Sequence, residues 1–337
     1  MSYVFFDLEW NQGYPHGEAN KLDEIIQIGA YRMDSWEDQG TPFVAYVRPS
    51  IHKKLHHRVK KMLPLTQEDL EKANPFRRVI RDFFRWCGDD PVFFTWGSCD
   101  ARVLDTNLCW YGMEEYLDLE IYDLQRAYDV MIAHTDQQAA LRDAVEKLHL
   151  EAALEYHDAG NDAYYTALIG AEMVRELGAL PTEETLQEME MALRREKREA
   201  ALQAAKEALE AAVESYQPVF TRNVGVYKSR EDCLKSRSAR VYRCPNCETW
   251  LCNGNWYQVG DRYISRSRCV EHGRYYACLT IKEHLRSLWT GEVSVYDAND
   301  FPAELFYLCK SGGIPIMISK TPKKRRRFHS KKSRTKG

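Results

Sequence analysis

The stretch FFDLEW carries Asp7 and Glu9 two residues apart. Side chains alternate along a β-strand, so both carboxylates face one side while Phe6 and Leu8 turn to the other, buried side. Two carboxylates side by side in an apolar strand repel each other, and such a pair is tolerated where divalent cations bind. Three further residues could meet them. Asp100 follows the apolar run PVFFTW and opens a helix. Asp162 stands in the first turn of a late helix, and His157 lies five residues before it in the glycine-containing stretch HDAGNDAYY. Strand ends and helix starts are where α/β proteins build their sites. Four acids and one imidazole suit two-metal-ion phosphodiester hydrolysis. Carboxylates hold two Mg²⁺ or Mn²⁺ about 3.5–4 Å apart, and a neutral imidazole takes the proton of the attacking water.

These residues need a sheet to bring them together. YVFFDLEW, EIIQIGAYRM and TPFVAYVRP read as three strands, the second with Ile25, Ile26, Ile28 and Ala30, and together they predict an antiparallel meander. Thr66 predicts a helix cap, with Glu68 and Asp69 in the first turn. Asn74 and Pro75 predict the cap and first position of the next helix, whose stripe Phe76, Val79, Ile80, Phe83 and Phe84 has helical spacing. PVFFTW is a further strand, leading through GSC into the helix of Asp100. DQQAALRDAVEKLHL and NDAYYTALIGAEMVRELG read as helices. The second has Ala163, Ala167, Gly170, Ala171 and Val174 on one face, small enough to lie close on a sheet, and Gly178 as its C-cap. Strands first, then alternating helix and strand, predict an α/β domain over residues 1–180.

Asp7-x-Glu9, Asp100, and His157 with Asp162 follow, in order and approximate separation, the three exonuclease motifs of the DEDDh family. These are the DnaQ-like 3′→5′ exonucleases. EIIQIGA resembles that family's second strand, and LPLTQEDLEKANPF its substrate-side loop and helix. TWGSCDARVL looks closest to the branch containing KapD and the exonucleases that trim small RNAs and histone mRNA ends. The resemblance covers about residues 1–180. It implies a ribonuclease H-like fold, a mixed sheet flanked by helices. It implies Asp7, Glu9 and Asp162 as ligands of two Mg²⁺ or Mn²⁺, Asp7 bridging both. Asp100 would act largely through metal-bound water, with His157 as general base. It places the 3′-terminal nucleotide near Trp10, Asn11, Leu65 and Thr66. The branch favours single-stranded RNA over DNA. Two other functions stay open: a DNA exonuclease of proofreading or repair type, and a non-catalytic nucleic-acid-binding adaptor. No polymerase-binding motif is recognisable for the first, and no acid is missing for the second.

Beyond the resemblance the composition changes. Residues 181–217 are rich in Ala, Glu, Leu, Arg and Lys, with Leu202, Leu209 and Tyr216 seven apart, and Pro218 ends the run. This reads as one long charged helical linker, a spacer or half of a coiled coil. Residues 218–317 are aromatic, basic and rich in cysteine. CPNC supplies Cys244 and Cys247; after 21 intervening residues CVEH supplies Cys269 and His272. Paired knuckles of this spacing predict one tetrahedral, structural Zn²⁺ in a small β-rich zinc ribbon, with Cys252 or Cys278 as alternatives to His272. Arg240, Arg243, Arg262, Arg266, Arg268 and Arg274 alternate with Tyr242, Trp250, Trp256, Tyr257, Tyr263, Tyr275 and Tyr276. Arginines contact phosphates and aromatics stack on unpaired bases, although several of these rings must also form the small domain's core. The last 18 residues hold ten Lys or Arg and no acid. A basic tail over 318–337 is therefore expected to be disordered when free.

The chain has 337 residues, 44% hydrophobic and 29% charged, which suits about two soluble globular domains. No apolar run approaches a membrane span, and MSYVFFDLEW reads as a strand and not a signal peptide. Ten cysteines without a secretory signal point to a reducing, cytoplasmic setting with some thiols on metal. Net charge is only −3, but residues 1–180 hold 18 Lys+Arg against 31 Asp+Glu, whereas residues 218–337 hold 24 against 10. A basic rear half suggests nucleic acid as its partner.

Overall fold

The computed structural model describes residues 1–12, 22–63, 65–117, 119–284, 288–298 and 301–316. The expected basic tail, 318–337, lies outside the described residues. The chain divides into two compact units, Met1–Arg194 and Arg195–Gly337.

In the first unit, β1 (Ser2–Asn11), β2 (Glu24–Met33) and β3 (Thr41–Arg48) form the antiparallel meander that their β-branched and aromatic runs favour. There follow α1 (Val59–Met62), α2 (Gln67–Lys72), β4 (Asn74–Pro75), α3 (Phe76–Cys87), β5 (Pro91–Thr95) and α4 (Cys99–Trp110). Then come β6 (Ile121–Asp123), α5 (Leu124–Met131), α6 (Leu141–Lys147), α7 (Ala159–Leu177) and the start of α8 (Glu183–Ser215), whose residues from Arg195 on belong to the second unit. Among the described residues the strand order is β4-β3-β2-β1-β5-β6. The β1–β5 and β5–β6 pairs are parallel, so the sheet is mixed, as the ribonuclease H-like expectation requires.

Both faces of the sheet are covered. Val4, Phe6 and Leu8 pack with Ile80 and Phe83 of α3 and Leu104 and Leu108 of α4. Phe5, on the opposite face, packs with Leu124 and Tyr128 of α5 and Tyr165 and Ile169 of α7. Asp7 and Glu9 share the face of Phe5 by strand alternation, so they look toward α7. The approach of α7 depends on one residue of β2. A Cβ on Gly29 would stand 1.9 Å from the carbonyl carbon of Ala159, a distance that only glycine avoids. Gly29 is also the cross-strand partner of Asp7.

Two local expectations change. Asn74 and Pro75 are extended and pair with Val47 and Arg48, so Pro75 is the cap of α3 and Asn74 makes no cap bond. The segment expected to be helical from Asp136 is helical only over Leu141–Lys147. Ala139 is held instead by tertiary bonds: its N–H donates to Asp129 Oδ1 at 3.0 Å, and its carbonyl accepts from Gln125 Nε2 at 2.8 Å. The expected linker is also not a bare spacer. At its start Leu186 is buried in the first unit's core, and Glu183 and Glu190 each pair with Arg126 at 2.6 Å.

The second unit holds β7 (Phe220–Tyr227), α9 (Arg230–Lys235), α10 (Arg237–Arg240), β8 (Val241–Arg243), β9 (Trp250–Cys252) and β10 (Trp256–Val259). It continues with β11 (Arg262–Cys269), β12 (Gly273–His284), β13 (Leu288–Asp297), α11 (Ala303–Gly312) and β14 (Ile314–Ile316). The described strands form a six-stranded sheet of order β14-β10-β11-β12-β13-β7 and a separate β8–β9 hairpin. This is a larger β-structure than a ribbon built between two knuckles. Its alternating residues fill two cores. Trp256, Tyr263, Tyr275 and Val293 pack with Tyr242, Cys233 and Leu234 on one side. Ile264, Tyr276 and Tyr296 pack on the other side with Phe301, Phe306 and the α8 residues Ala205, Leu209 and Ala212. The last three recur at helical spacing, which makes the C-terminal half of α8 an amphipathic core helix of this unit.

Candidate active site

Asp158 caps α7. Its Oδ1 accepts the N–H groups of Gly160 at 3.1 Å and Asn161 at 3.2 Å, and its Oδ2 accepts Nε2 of the buried Gln27 at 2.9 Å. The cap therefore ties the start of α7 to β2 and sets Asp162, one turn in, against the carboxylates of β1. His157 N–H donates to Asp162 Oδ2 at 3.2 Å, whereas Asp162 Oδ1 is buried without a hydrogen-bond partner among the described residues. His157 has φ 65°, a left-handed backbone that a non-glycine residue adopts only under constraint, and its ring is exposed. Ligand atoms of Glu9, His157 and Asp162 all lie within 4.8 Å of one another. Asp100, in the first turn of α4, accepts the N–H of Leu8 at 3.0 Å and so locks that helix end to β1. Asp7, Glu9, Asp100, His157 and Asp162 all line one cleft of about 420 Å³, together with Trp10, Gln12, Arg58 and Met62.

Burial in one cleft raises the proton affinity of all four carboxylates, and neighbouring charges add to it at Asp7, Glu9 and Asp100. Burial pushes Asp7 well above its ordinary value, and the charges of Asp100, Asp162 and Glu9 add to it. Glu9 is raised to about 8 by burial and then by Asp162 and Asp100. Asp100 rises to about 7, mainly through burial, although the Leu8 N–H opposes it. Asp162 rises to about 6 through burial, with the His157 N–H and ring pulling it down. Hard divalent ions with oxygen ligands would stabilise the charged forms.

The residues expected at the 3′-terminal nucleotide separate. Trp10 lines the cleft. Asn11 is fully buried and brackets the 52–56 loop: its Nδ2 donates to the carbonyls of His52 at 2.9 Å and Lys54 at 3.0 Å, and its Oδ1 accepts His56 N–H at 2.9 Å. Leu65 is in a buried cluster with Ile26, Leu55 and Leu70. Thr66 forms a capping box with Asp69. These three hold the loop beside the cleft and do not line it. Glu24 serves the same loop, accepting the N–H of His52 at 2.6 Å and of Ile51 at 3.0 Å. Arg58 and Met62 of the cleft, and Asp158 and Gln27 behind it, were not singled out from the sequence. Asp158 had a signal, an N-cap residue type directly before a helix. Arg58 had none beyond lying in a basic stretch.

The second unit gathers a different set. Cys244, Cys247, Cys269 and His272 place one ligand atom each within 4.8 Å of the others. Cys247 Sγ lies 3.6 Å from Cys269 Sγ, and His272 Nδ1 lies 3.7 Å from Cys269 Sγ and 3.8 Å from Cys244 Sγ. A tetrahedron with Zn–S of about 2.3 Å has edges of roughly 3.7 Å. Burial opposes ionisation of Cys244, but the Tyr275 hydroxyl and the N–H groups of Asn246 and Cys247 outweigh it and bring the thiol to about 6. Cys252 is exposed and bonds its neighbour's carbonyl, and Cys278 is buried in the core of Tyr276 and Phe306, so neither joins the set. Of the aromatics read as base-stacking candidates, Tyr242, Trp256, Tyr263, Tyr275 and Tyr276 are at most 2% exposed and are core, while Trp250 is 56% exposed.

Among the described residues no helix is long and apolar enough to cross a membrane. Residues 4–169 match the family described as Exonuclease, RNase_T. Over 171 residues the chain is 28% identical to the probable 3′-5′ exonuclease KapD of Bacillus subtilis, covering 50% of this chain and 78% of KapD. Among solved structures, a full-length 3′-exonuclease aligns over 53% of this chain and 84% of its own, at 18% identity and TM-score 0.47. The nuclease domain of 3′hExo, a DEDDh family member bound to rAMP, aligns over 53% and 94%, at 19% and 0.46. Escherichia coli ExoI with single-stranded DNA aligns over 78% and 54%, at 17% and 0.41. Residues 4–169 are thus an exonuclease domain of the RNase_T kind.

Proposed function

We propose that the chain is a 3′→5′ exonuclease that removes nucleotides from single-stranded nucleic acid, with RNA preferred to DNA, using two divalent cations and a histidine base. The observation that carries this reading is the shared cleft of Asp7, Glu9, Asp100, His157 and Asp162, in which Asp162 Oδ1 is buried with no hydrogen-bond partner among the described residues. Asp7, Glu9 and Asp162 would hold the cations, Mg²⁺ or Mn²⁺. When bound, the cations activate water and stabilise charge on the phosphate and leaving oxygen. The exposed His157 ring takes the proton of the attacking water, and the strained backbone at 157 aims it over the cleft. Asp162 accepts the His157 N–H, so one residue positions the base and faces the cations. Asp100 keeps β1 and α4 in register at the site. Arg58 is the one arginine or lysine lining the cleft among the described residues, placed to neutralise a phosphate. The RNA preference rests on the resemblance of the Trp96-Gly97 stretch. The Cys244, Cys247, Cys269 and His272 set fits one structural Zn²⁺, with all four positions taken by protein.

The test is a time course on 5′-labelled single-stranded RNA and matched DNA with Mn²⁺, Mg²⁺ or chelator. A cation-dependent ladder shrinking from the 3′ end supports the reading, and RNA should shorten faster. Binding without shortening at any cation concentration overturns it.

A further inference from the structure

Once the aromatic core of the second unit is subtracted, Trp250 stays out in solvent with two cations against it. Trp250 of β9 stands directly opposite Arg243 of β8, while the next pair, Tyr242 and Leu251, turns inward and is buried. Strand alternation therefore puts Arg243 and Trp250 together on the outer face of the hairpin. The Arg243 guanidinium lies 4.6 Å from the indole centroid, and that of Arg237, from α10, lies 5.7 Å from it. Arg243 also pairs with Glu248 at 3.3 Å, whereas no ion pair joins Arg237 to a described carboxylate. The loop that closes this hairpin carries Cys244 and Cys247, so the knuckle fixes the strand ends on which Arg243 and Trp250 sit.

We propose that Arg237, Trp250 and Arg243 form a stacking site for an unpaired base of single-stranded nucleic acid, the two guanidiniums taking the phosphates beside it. This rests on the reading of the chain as acting on nucleic acid. An exposed indole offers a π-face to any base, and its affinity is nearly independent of sequence. Arginine forks match phosphate geometry, and an exposed arginine can leave the ring for a phosphate when a base takes its place. Charge complementarity selects this occupant: two guanidiniums stand against the ring, in a stretch 218–337 that holds 24 basic against 10 acidic residues, ten of the basic ones in its last 18. A base with its phosphates matches both the ring and the two cations.

The experiment uses the full chain carrying Asp7→Asn, loaded with zinc and without other divalent ions, so that ligand survives. Affinity for a 5′-fluorescein RNA of about 20 uridines is read by anisotropy. Trp250→Ala should weaken binding by about 5- to 150-fold, the range for losing one stacked base. Trp250→Phe should keep most of the affinity, and Trp250→Leu, apolar but without a π-face, should fall with alanine. Arg237→Gln with Arg243→Gln should lower the slope of log affinity against log salt by about 1.4, two phosphates' worth on a single strand. Affinities within twofold of the parent for all three Trp250 variants overturn the proposal and leave the patch for a protein. The nuclease reading is scored separately, on unsubstituted chain with Mn²⁺. Shortening of the RNA there with no Trp250 effect sinks only the patch; Trp250-dependent binding with no shortening sinks only the nuclease.

Discussion

Asp7, Glu9, Asp100 and Asp162 come from one strand and two helices that lie far apart along the first unit, whereas Cys244, Cys247, Cys269 and His272 come from two short turns with 21 residues between them. Burial raises Glu9 to about 8 and Asp162 to about 6, and the charges of Asp162 and Asp100 add to the shift at Glu9. In the other set the surroundings lower Cys244 to about 6. One cluster thus resists its own ionised state until cations arrive and keeps a cleft open to solvent. The other favours the thiolate at Cys244 and Cys269, though not at Cys247, and offers four ligands and no gap. An open site with unspent charge suits turnover, and a closed one suits structure.

Removing one ligand from each cluster is the strongest way to break this contrast. Asp7→Asn should lower the single-turnover rate of 3′-end shortening by roughly a thousandfold, a few kcal/mol of transition-state charge stabilisation. It should also raise the melting temperature of cation-free protein, because a buried repulsion is gone. Cys247→Ser should do the reverse to stability: zinc content falls to zero by elemental analysis and the second unit melts earlier. An Asp7→Asn chain with parental activity would remove the carboxylates from catalysis.

His157→Ala sharpens the division within the acidic cleft. The rate should fall by about 10²- to 10⁴-fold, the usual contribution of a general base, while calorimetric Mn²⁺ affinity changes little. A matching loss of cation affinity would make His157 a ligand instead.

A smaller effect is expected from pH. Asp100, Glu9 and Asp162 have folded-state values above their ordinary ones, so native protein holds more protons than unfolded protein between about 4 and 8. Their contribution to stability is full below about 4 and is lost as pH rises through about 6 to 8. Cation-free protein should therefore melt at lower temperature at pH 8 than at pH 5.5, and saturating Mn²⁺ should flatten the trend. A melting temperature rising over that window would contradict the arrangement.

The smallest effect lies behind the cleft. Asn11→Ala removes three hydrogen bonds to the 52–56 loop, one buried and two partly buried, and should cost about 1–3 kcal/mol in urea unfolding, with KM rising more than kcat falls. Equal loss in kcat would place Asn11 nearer the chemistry than its burial allows.

The pattern of legibility follows the range of the interactions. The paired acids of β1, the acid opening α4, the histidine and acid at α7 and the two knuckles were readable because each is a local spacing on an element with a clear period. The meander and the Thr66 cap were readable for the same reason. Trp10 and Asn11 are adjacent in sequence, yet one lines the cleft and the other is sealed behind it. No local property separates them. A bulge in β1 at Glu9/Trp10 shifts the pairing there, and the partners of Asn11 lie more than 40 residues away.

By itself, then, the sequence determined the chemistry available: which groups could carry charge, which could bind metal, and which strands and helices would carry them. Tertiary structure decided which of them meet. Gly29 admits α7 to the sheet, so that Asp162 reaches the face of Asp7. His272 takes a place that Cys252 and Cys278 cannot, and most rings of the basic half go to its core, leaving Trp250 outside. The physical reason is that burial and close approach depend on long-range packing of both sheet faces, which residue type and spacing constrain without specifying.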